Sequence, residues 1–378
     1  MTISAIILIV ETSLGDYALA GQSAMALLES TVRQLAGPMA QTSELDQSMA
    51  PDLRDWLNEG VDKVLLVRSD RPLLTAATLA RLTEGRPAPM ATLVTSGGDT
   101  PAGCADARWL WEQLQSAPSA TTLEELGRAA GARVVPSGDL ADCLAVNTLV
   151  AQGEAERIIQ QRINTAWMQA GVRLVDPAAT YIHASVAIGR ETVILPNTHL
   201  WGATTIGEAS RIGPNSIVCD SDIGNRCRIT SSVVEQAVME DESDIGPFGH
   251  LRRGSRLCRG AHMGNFGEVK NSTLGPNAKM GHFAYLGDAT VGANVNIGAG
   301  TITCNYDGTE KHKTIIQDGA FIGSDTMLVA PVEIGAGART GAGSVITHDV
   351  PPGSVAYGVP ARIKRTIRKE GESSEPDS

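Results

Sequence analysis

Aliphatic residues recur every six positions through the second half of this chain. Ile188, Ile194, Leu200, Ile206, Ile212 and Val218 form one series, and Ile245, Leu251, Leu257, Met263 and Val269 form another. A third runs Ile322, Leu328, Ile334, Thr340, Ile346, with a single polar member at Thr340. Glycine often follows the aliphatic residue, as in Ile188-Gly189, Ile206-Gly207, Ile223-Gly224 and Ile297-Gly298. A period of six fits neither the repeat of an α-helix nor the plain alternation of a strand. It is the hexapeptide pattern of a parallel β-helix. Each hexapeptide makes one short strand and one tight turn, three of them close a triangular coil of about 18 residues, and coils stack about 4.8 Å apart. One aliphatic side chain per side points inward, and Gly, Asn and Asp serve corners that need left-handed backbone. The frame slips by one residue between Val218 and Ile223 and between Val269 and Leu274. Residues 304–315 (CNYDGTEKHKTI) interrupt it with a polar, charged stretch, expected as a loop thrown out of the prism.

The first part of the chain has a different texture. Windows 3–10 and 61–67 read as buried strands, and 25–35 and 76–82 as helices, which predicts a small α/β domain over residues 1–150. Residues 85–103 (GRPAPMATLVTSGGDTPAG) are rich in Gly and Pro and read mainly as loop. Helical spacing over 154–170, ended by Gly171, predicts a helix within a connecting segment 151–175. The β-helix then occupies 176–364, and residues 365–378 read as a disordered acidic tail.

Composition narrows the class. With 42% apolar and 19% charged residues the chain should be globular and soluble. Four Phe, five Trp and five Tyr against 40 Gly suit a thin, repetitive aliphatic interior. A net charge of −11 argues against broad nucleic-acid binding. The six cysteines show no CxxC pair and no zinc spacing, so they read as reduced thiols of a cytoplasmic protein. The apolar start lacks a basic n-region and a cleavage site, so it reads as a strand rather than a signal peptide, and no stretch is long enough to span a membrane.

Five motifs carry the chemistry: GPFGHLRRG at 246–254, GAHMGNFGEVK at 260–270, GHFAYLGDA at 281–289, GANVNIGAGTITCNYDG at 292–308 and FIGSDTMLVAPVEIGAGA at 321–338. Over this stretch the chain closely resembles the acetyltransferase domain of the bifunctional N-acetylglucosamine-1-phosphate uridyltransferase/glucosamine-1-phosphate acetyltransferase family, and more weakly the N-terminal domain of that family. The resemblance implies a degenerate nucleotidyltransferase-like α/β domain followed by a left-handed β-helix; handedness does not follow from the repeat itself, since parallel crossovers are usually right-handed. It implies acetyl transfer from acetyl-CoA to glucosamine 1-phosphate in UDP-N-acetylglucosamine and peptidoglycan precursor synthesis, by a homotrimer whose sites lie between subunits. His282 would be the general base. Arg252 and Lys270 would hold the sugar phosphate, with Tyr285 and Lys311 assisting. Asn296 and Asn305 would bind the sugar, Asn305 bordering the coenzyme as well, and Glu268 would orient the amine or the histidine. Tyr306, Ser324 and Ala342 would line the acetyl-CoA site. Relatives often carry an arginine near the coenzyme phosphates; here the chain reads Tyr357-Gly358-Val359-Pro360, leaving Arg362 or Lys364 to substitute.

The residue types agree with that chemistry. An amine attacking a thioester must lose a proton, which suits histidine. A phosphate dianion calls for fixed cationic donors. Arg252 and Lys270 stand 18 residues apart, one coil, and should lie on neighbouring coils of one edge. His282 follows 12 residues later, two hexapeptides around the coil, which by itself does not place it beside them.

The N-terminal region departs from the family. Where relatives have a Gly-rich phosphate loop with an arginine and a lysine, residues 6–20 read IILIVETSLGDYALA, with one glycine and neither cation. Much of the section between Leu74 and Pro101 is also missing relative to the family. Asp70, in SDRPLL, and Asn147, in AVN, resemble segments that carry metal ligands, and would bind Mg²⁺ if they meet. The leading expectation is a monofunctional acetyltransferase. The alternatives are a different amino-sugar acceptor, a retained uridylyl transfer, or a nonenzymatic partner of a separate nucleotidyltransferase.

Overall fold

The computed structural model describes residues 4–9, 18–20, 22–35, 39–42, 45–84, 89–95, 97–116, 120–136 and 139–366. The segment expected to replace the phosphate loop lies largely outside them, as does the acidic tail from residue 367 on. The chain divides into two compact units, Met1–Gln160 and Gln161–Ser378.

In the first unit six strands form one mixed sheet, in the order Met39–Thr42, Ser4–Ile9, Lys63–Arg68, Ala102–Asp106, Met90–Val94, Arg133–Pro136. Lys63–Arg68 reads as an unbroken apolar run because both of its faces are covered. Val64 and Leu66 join a core with Leu53, Trp56, Leu110 and Leu126, from the helices Ala50–Asn58, Ala107–Ser116 and Leu123–Ala130. Leu65 and Val67 join another with Leu28, Val32, Leu79 and Leu82, from the helices Ala24–Arg33 and Ala76–Thr83.

The stretch 85–103, expected as loop, instead holds the strand Met90–Val94 and the start of Ala102–Asp106, paired antiparallel with Met90 opposite Ala105. Its glycine content misleads because Gly103 serves packing: a Cβ there would lie 2.6 Å from the Met90 Cε and 3.2 Å from the Leu123 Cδ1. The connecting helix runs Leu149–Gln169, starting before the expected residue 154. On its later turns Ile163 and Trp167 lean on the β-helix core, and the Asn164 amide donates to the carbonyls of Pro177 and Thr180 at 2.7 and 2.9 Å.

The second unit is a parallel β-helix with three flat faces. Face A has ten strands, from Thr180–Ile182 to Val345–Ile346. Face B has nine, from Ala187–Ile188 to Val332–Ile334. Face C has twelve, from Arg173–Leu174 to a closing hairpin of Ser354–Gly358 and Ala361–Thr366, so regular structure continues into the first residues of the stretch expected as tail. The six-residue period becomes vertical columns. On face C, Ile194, Ile212, Ile229, Ile245, Met263, Met280, Ile297 and Ile322 stand in register, each buried. Burying each such side chain stabilises the fold by roughly 1.5–3 kcal/mol. Thr340 fits this column because its hydroxyl is used: Oγ1 accepts the Gly323 N–H at 2.9 Å and lies 3.1 Å from the Thr326 Oγ1.

The corners differ from expectation in one respect. Left-handed φ does occur at Asn197, Asn215, Asp220, Asn277 and Asp325, but also at Arg226, Glu242, Phe248 and Phe266. The glycines after the aliphatic residues serve close approach. A Cβ on Gly207 would lie 2.6 Å from the Gly224 carbonyl carbon of the next coil, and one on Gly323 would lie 2.7 Å from that of Gly341. The coil spacing leaves no room there for a side chain. Gly207→Val should therefore destabilise the β-helix by about 2–3 kcal/mol, as overpacking against rigid backbone does. Denaturant unfolding of the variant against Thr205→Val, a change at an exposed strand position, measures this; equal midpoints would contradict it.

Candidate functional site

Face A carries Glu268, Lys270 and Tyr285, with Arg252 and Asn305 at its edge. In an extended strand alternate side chains face out, so register alone stacks them. His250 stands opposite Glu268, and Glu268 opposite Tyr285; Lys270 stands opposite Gly287. Arg252 and Lys270 therefore occupy neighbouring rungs at the edge where face A turns toward face B. Asn305 follows just after the strand Ile302–Cys304 of the next coil.

These side chains converge. Arg252 donates to the Glu268 carboxylate at 2.8 Å, which raises its pKa; with both groups over a third exposed, the pair is worth at most about 1 kcal/mol. Glu268 is thus turned to Arg252. Lys311, on the returning loop, is the main cause that lowers the Lys270 pKa, followed by desolvation and Arg252. Asp288 is bonded by two asparagine side chains beside this charge. Burial pushes its carboxyl up, but the Asn271 and Asn305 amides, which donate to it at 2.6 and 2.5 Å, and the two ammonium groups leave it below the ordinary carboxylate range. Gly287 forms the floor: a Cβ there would lie 2.4 Å from the Tyr285 hydroxyl and 2.7 Å from the Asn305 Nδ2. Three cations, a phenol and an amide so gathered form a receptor for a compact anion.

His282 stands elsewhere, at the corner where face C turns into face A. It is exposed, with its Nδ1 3.3 Å from the Asn265 Oδ1. Lys270 aligns with Gly287, five residues beyond His282 on the same coil, so the histidine and the anion receptor sit on the order of 15 Å apart across face A. Below His282 the same corner carries Ser324 and Ala342, stacked so closely that a Cβ on Gly298 would lie 2.6 Å from the Ser324 N and one on Gly323 2.7 Å from the Ala342 N. Asn296 faces outward on face C between Lys279 and Phe321. Arg362 lies on the closing hairpin opposite Tyr357, donates to the Ala361 carbonyl at 3.0 Å, and lines a cavity of about 350 Å³ with Thr347, His348 and Asp349; Lys364 holds its ammonium 5.3 Å from the Tyr357 ring centre. Tyr306 is 60% exposed, and its hydroxyl donates to the Gly308 carbonyl at 2.6 Å. Of the chosen residues, Arg252, Lys270, Tyr285 and Asn305 thus gather toward one edge of face A and His282, Ser324 and Ala342 at the other, while Asn296 lies on face C and Arg362 on the closing hairpin. The sequence reading missed Asn265, Asp288 and Gly287. Asn265 had a signal, since GNF stands one 17-residue coil before GHF.

In the first unit the Asp70 carboxylate is already spoken for. Arg68 donates to its Oδ2 at 3.1 Å and Arg71 to its Oδ1 at 3.2 Å, and both guanidiniums also reach Asp99. Arg71 further donates to the Cys143 carbonyl at 2.8 Å. The segments of Asp70 and Asn147 do meet, through the Val146 N–H donating to the Asp70 carbonyl at 2.9 Å, but the Asn147 side chain is exposed. Among the described residues no group of three or more His, Cys, Asp or Glu side chains could hold a metal ion. A carboxylate clamped between two guanidiniums does not suit Mg²⁺, a small, strongly hydrated cation that requires anionic or neutral oxygen ligands.

Among known proteins, the family described as "Bacterial transferase hexapeptide (six repeats)" matches residues 313–348. The chain is 40% identical over 351 residues to the bifunctional protein GlmU of Heliobacterium modesticaldum, an alignment covering 80% of this chain and 77% of that one. It is 38% identical over 352 residues to GlmU of Trichlorobacter lovleyi, covering 80% and 76%. With GlmU of Thermotoga petrophila identity rises to 46% over 239 residues, covering 63% of this chain and about half, 53%, of that one. Among solved structures it is similar to a UDP-N-acetylglucosamine acyltransferase of Francisella novicida, at 16% identity and a TM-score of 0.35, over 50% of this chain and 69% of that one.

Asp70→Ala removes one shared partner of two arginines, one of them buried, while Asp99 still pairs with both. It should lower the stability of the first unit by roughly 1.5–3 kcal/mol, the worth of the charged hydrogen bonds lost. Thermal unfolding followed at the first unit's tryptophans checks this; an unchanged transition would show that the ion network contributes nothing.

Proposed function

Because the chain belongs to the family of the bifunctional protein GlmU, we propose that it transfers acetyl from acetyl-CoA to the amine of glucosamine 1-phosphate, giving N-acetylglucosamine 1-phosphate for UDP-N-acetylglucosamine and cell-wall precursor synthesis. The observation that carries this reading is the cluster of Arg252, Lys270 and Lys311 with Tyr285 and Asn305 around a side-chain-free floor at Gly287. It matches a sugar bearing a phosphate dianion. His282 removes a proton from the attacking amine, directly or as the N–C bond forms; the C–S bond of the thioester breaks, and the coenzyme thiol leaves with a proton. Ser324 and Ala342 present backbone along the corner below His282, a path for the extended arm of the coenzyme, with Arg362 or Lys364 at its phosphate end.

Assembly follows from the separation of the clusters. A receptor and a base on the order of 15 Å apart do not serve one amino sugar within one prism. Placing the His282 edge of one copy against the Lys270 edge of another closes the gap, and three prisms do so with closed symmetry. The corner beside His282 also carries Phe248, Phe266 and Phe283, exposed by 60%, 60% and 58%, with the first two rings stacked at 5.1 Å. Such a column fits burial against a neighbouring copy. The first unit acts as a scaffold without uridylyl transfer, a reading supported by the absent phosphate-loop glycines and cations in residues 6–20 and by the arginines clamped on Asp70.

His282→Gln keeps much of the shape but not the basicity. It should lower kcat by about 10²–10⁴-fold with acetyl-CoA binding and the trimer intact; near-normal kcat in a thiol-release assay would make His282 a positioning residue. Light scattering should give a trimer, and an active monomer would refute the shared site. UTP with N-acetylglucosamine 1-phosphate should release no pyrophosphate above a no-enzyme control.

A further inference from the structure

The loop over residues 305–313 is organised around one side chain. The Asp307 Oδ1 accepts the N–H groups of Thr309 and Glu310, both at 2.8 Å, and its Oδ2 lies 2.7 Å from the His312 Nε2. The backbone closes around it: Asp307 N–H donates to the Glu310 carbonyl at 3.2 Å, and His312 N–H to the Asn305 carbonyl at 2.8 Å. Tyr306 and Lys311 thereby face each other as an isolated antiparallel bridge. Together these bonds hold Asp307 well below the usual carboxylate range, the Glu310 N–H contributing most, then His312 and Thr309. The carboxylate is not part of the anion receptor, and the reading of that receptor gives it no role.

The same loop starts at Asn305, whose amide donates to Asp288 of the neighbouring coil at 2.5 Å, and it carries Lys311 within interaction range of Lys270, whose pKa it lowers. Two like charges at such range repel, and a long, exposed lysine gains rotamer freedom by swinging away. Something must hold the base of that side chain toward the face. Resting on the reading of the receptor as the sugar-phosphate site, we propose that Asp307, together with His312, is a positioning residue: it pins the loop so that Lys311 is preset against Lys270 before the phosphate arrives. The repulsion between the lysines is then relieved only by the incoming dianion, so the loop's internal bonds are converted into affinity for phosphate through preorganisation.

The test compares full-length variants by steady-state kinetics in both substrates, with inorganic phosphate as a competitive probe. Asp307→Ala should raise the KM for glucosamine 1-phosphate and the phosphate Ki in parallel, by roughly tenfold, the worth of one charge-assisted contact. The unfolding temperature should stay within a degree or two of the parent, since the loop lies outside the aliphatic columns. Asp307→Asn, whose amide oxygen still accepts the two backbone N–H groups, should recover most of the loss; His312→Ala should show a smaller effect in the same direction and carries the test if Asp307→Ala fails to fold. Lys270→Ala is the control. If it impairs the acceptor while Asp307→Ala and His312→Ala do not, the pin is refuted and the receptor stands. If Lys270→Ala also leaves acceptor kinetics unchanged, the receptor itself is misassigned. A clearly lowered unfolding temperature in the Asp307 variants, matched by loss of acceptor binding, would also refute the pin, because it would mark general loss of structure.

Discussion

The spacing between stacked coils governs this molecule. Each coil hydrogen-bonds to the next along three faces, so neighbouring rungs are held about 4.8 Å apart. That distance admits one inward aliphatic side chain per rung, and Ile194 through Ile322 on face C fill it in a continuous buried column. It also forbids a Cβ where corner backbones meet, which is why Gly207 and Gly323 follow their isoleucines. The outer surface inherits the same ruler. Arg252, Lys270 and Gly287 stand one above the other because their strands do, and the receptor needs no loop to align its first two cations.

What the ruler does not supply, excursions from it supply. A straight prism places nothing above its own surface, so the third cation, Lys311, comes from the loop over 305–313, folded on Asp307. The prism also keeps its corners apart. His282 and Lys270 are separated by the width of face A, and no side-chain rotation within one copy joins them. At the His282 corner the Phe248 and Phe266 rings stack on each other while remaining exposed.

The first unit is organised around an ion network. The sheet, its two cores and the junction between the Asp70 and Val146 segments are all present. The carboxylate at the centre is bonded to Arg68 and Arg71, with Asp99 completing the network. Guanidiniums offer donors in fixed geometry and no acceptors, and three of their N–H groups already bond the aspartate oxygens, so a cation there would have to compete with two fixed positive charges.

The sequence by itself determined the β-helix, because a six-residue period has one stable outcome: inward columns that no helix or flat sheet provides. It also determined the stacking of Arg252 on Lys270, since a separation of one coil fixes a vertical neighbour. Composition misled at 85–103, where Gly103 is a packing residue of a strand; only the positions of Met90 and Leu123 distinguish that from a turn. The partners of Glu268, Asp288 and Asp307 were equally illegible, because side-chain hydrogen bonds depend on which rung or loop passes within about 3 Å, and residue type alone does not encode that distance. Tertiary structure alone decided that His282 and Lys270 lie at two edges of one face, since a linear period tells how far around the coil a residue sits but not how wide the face between two corners is.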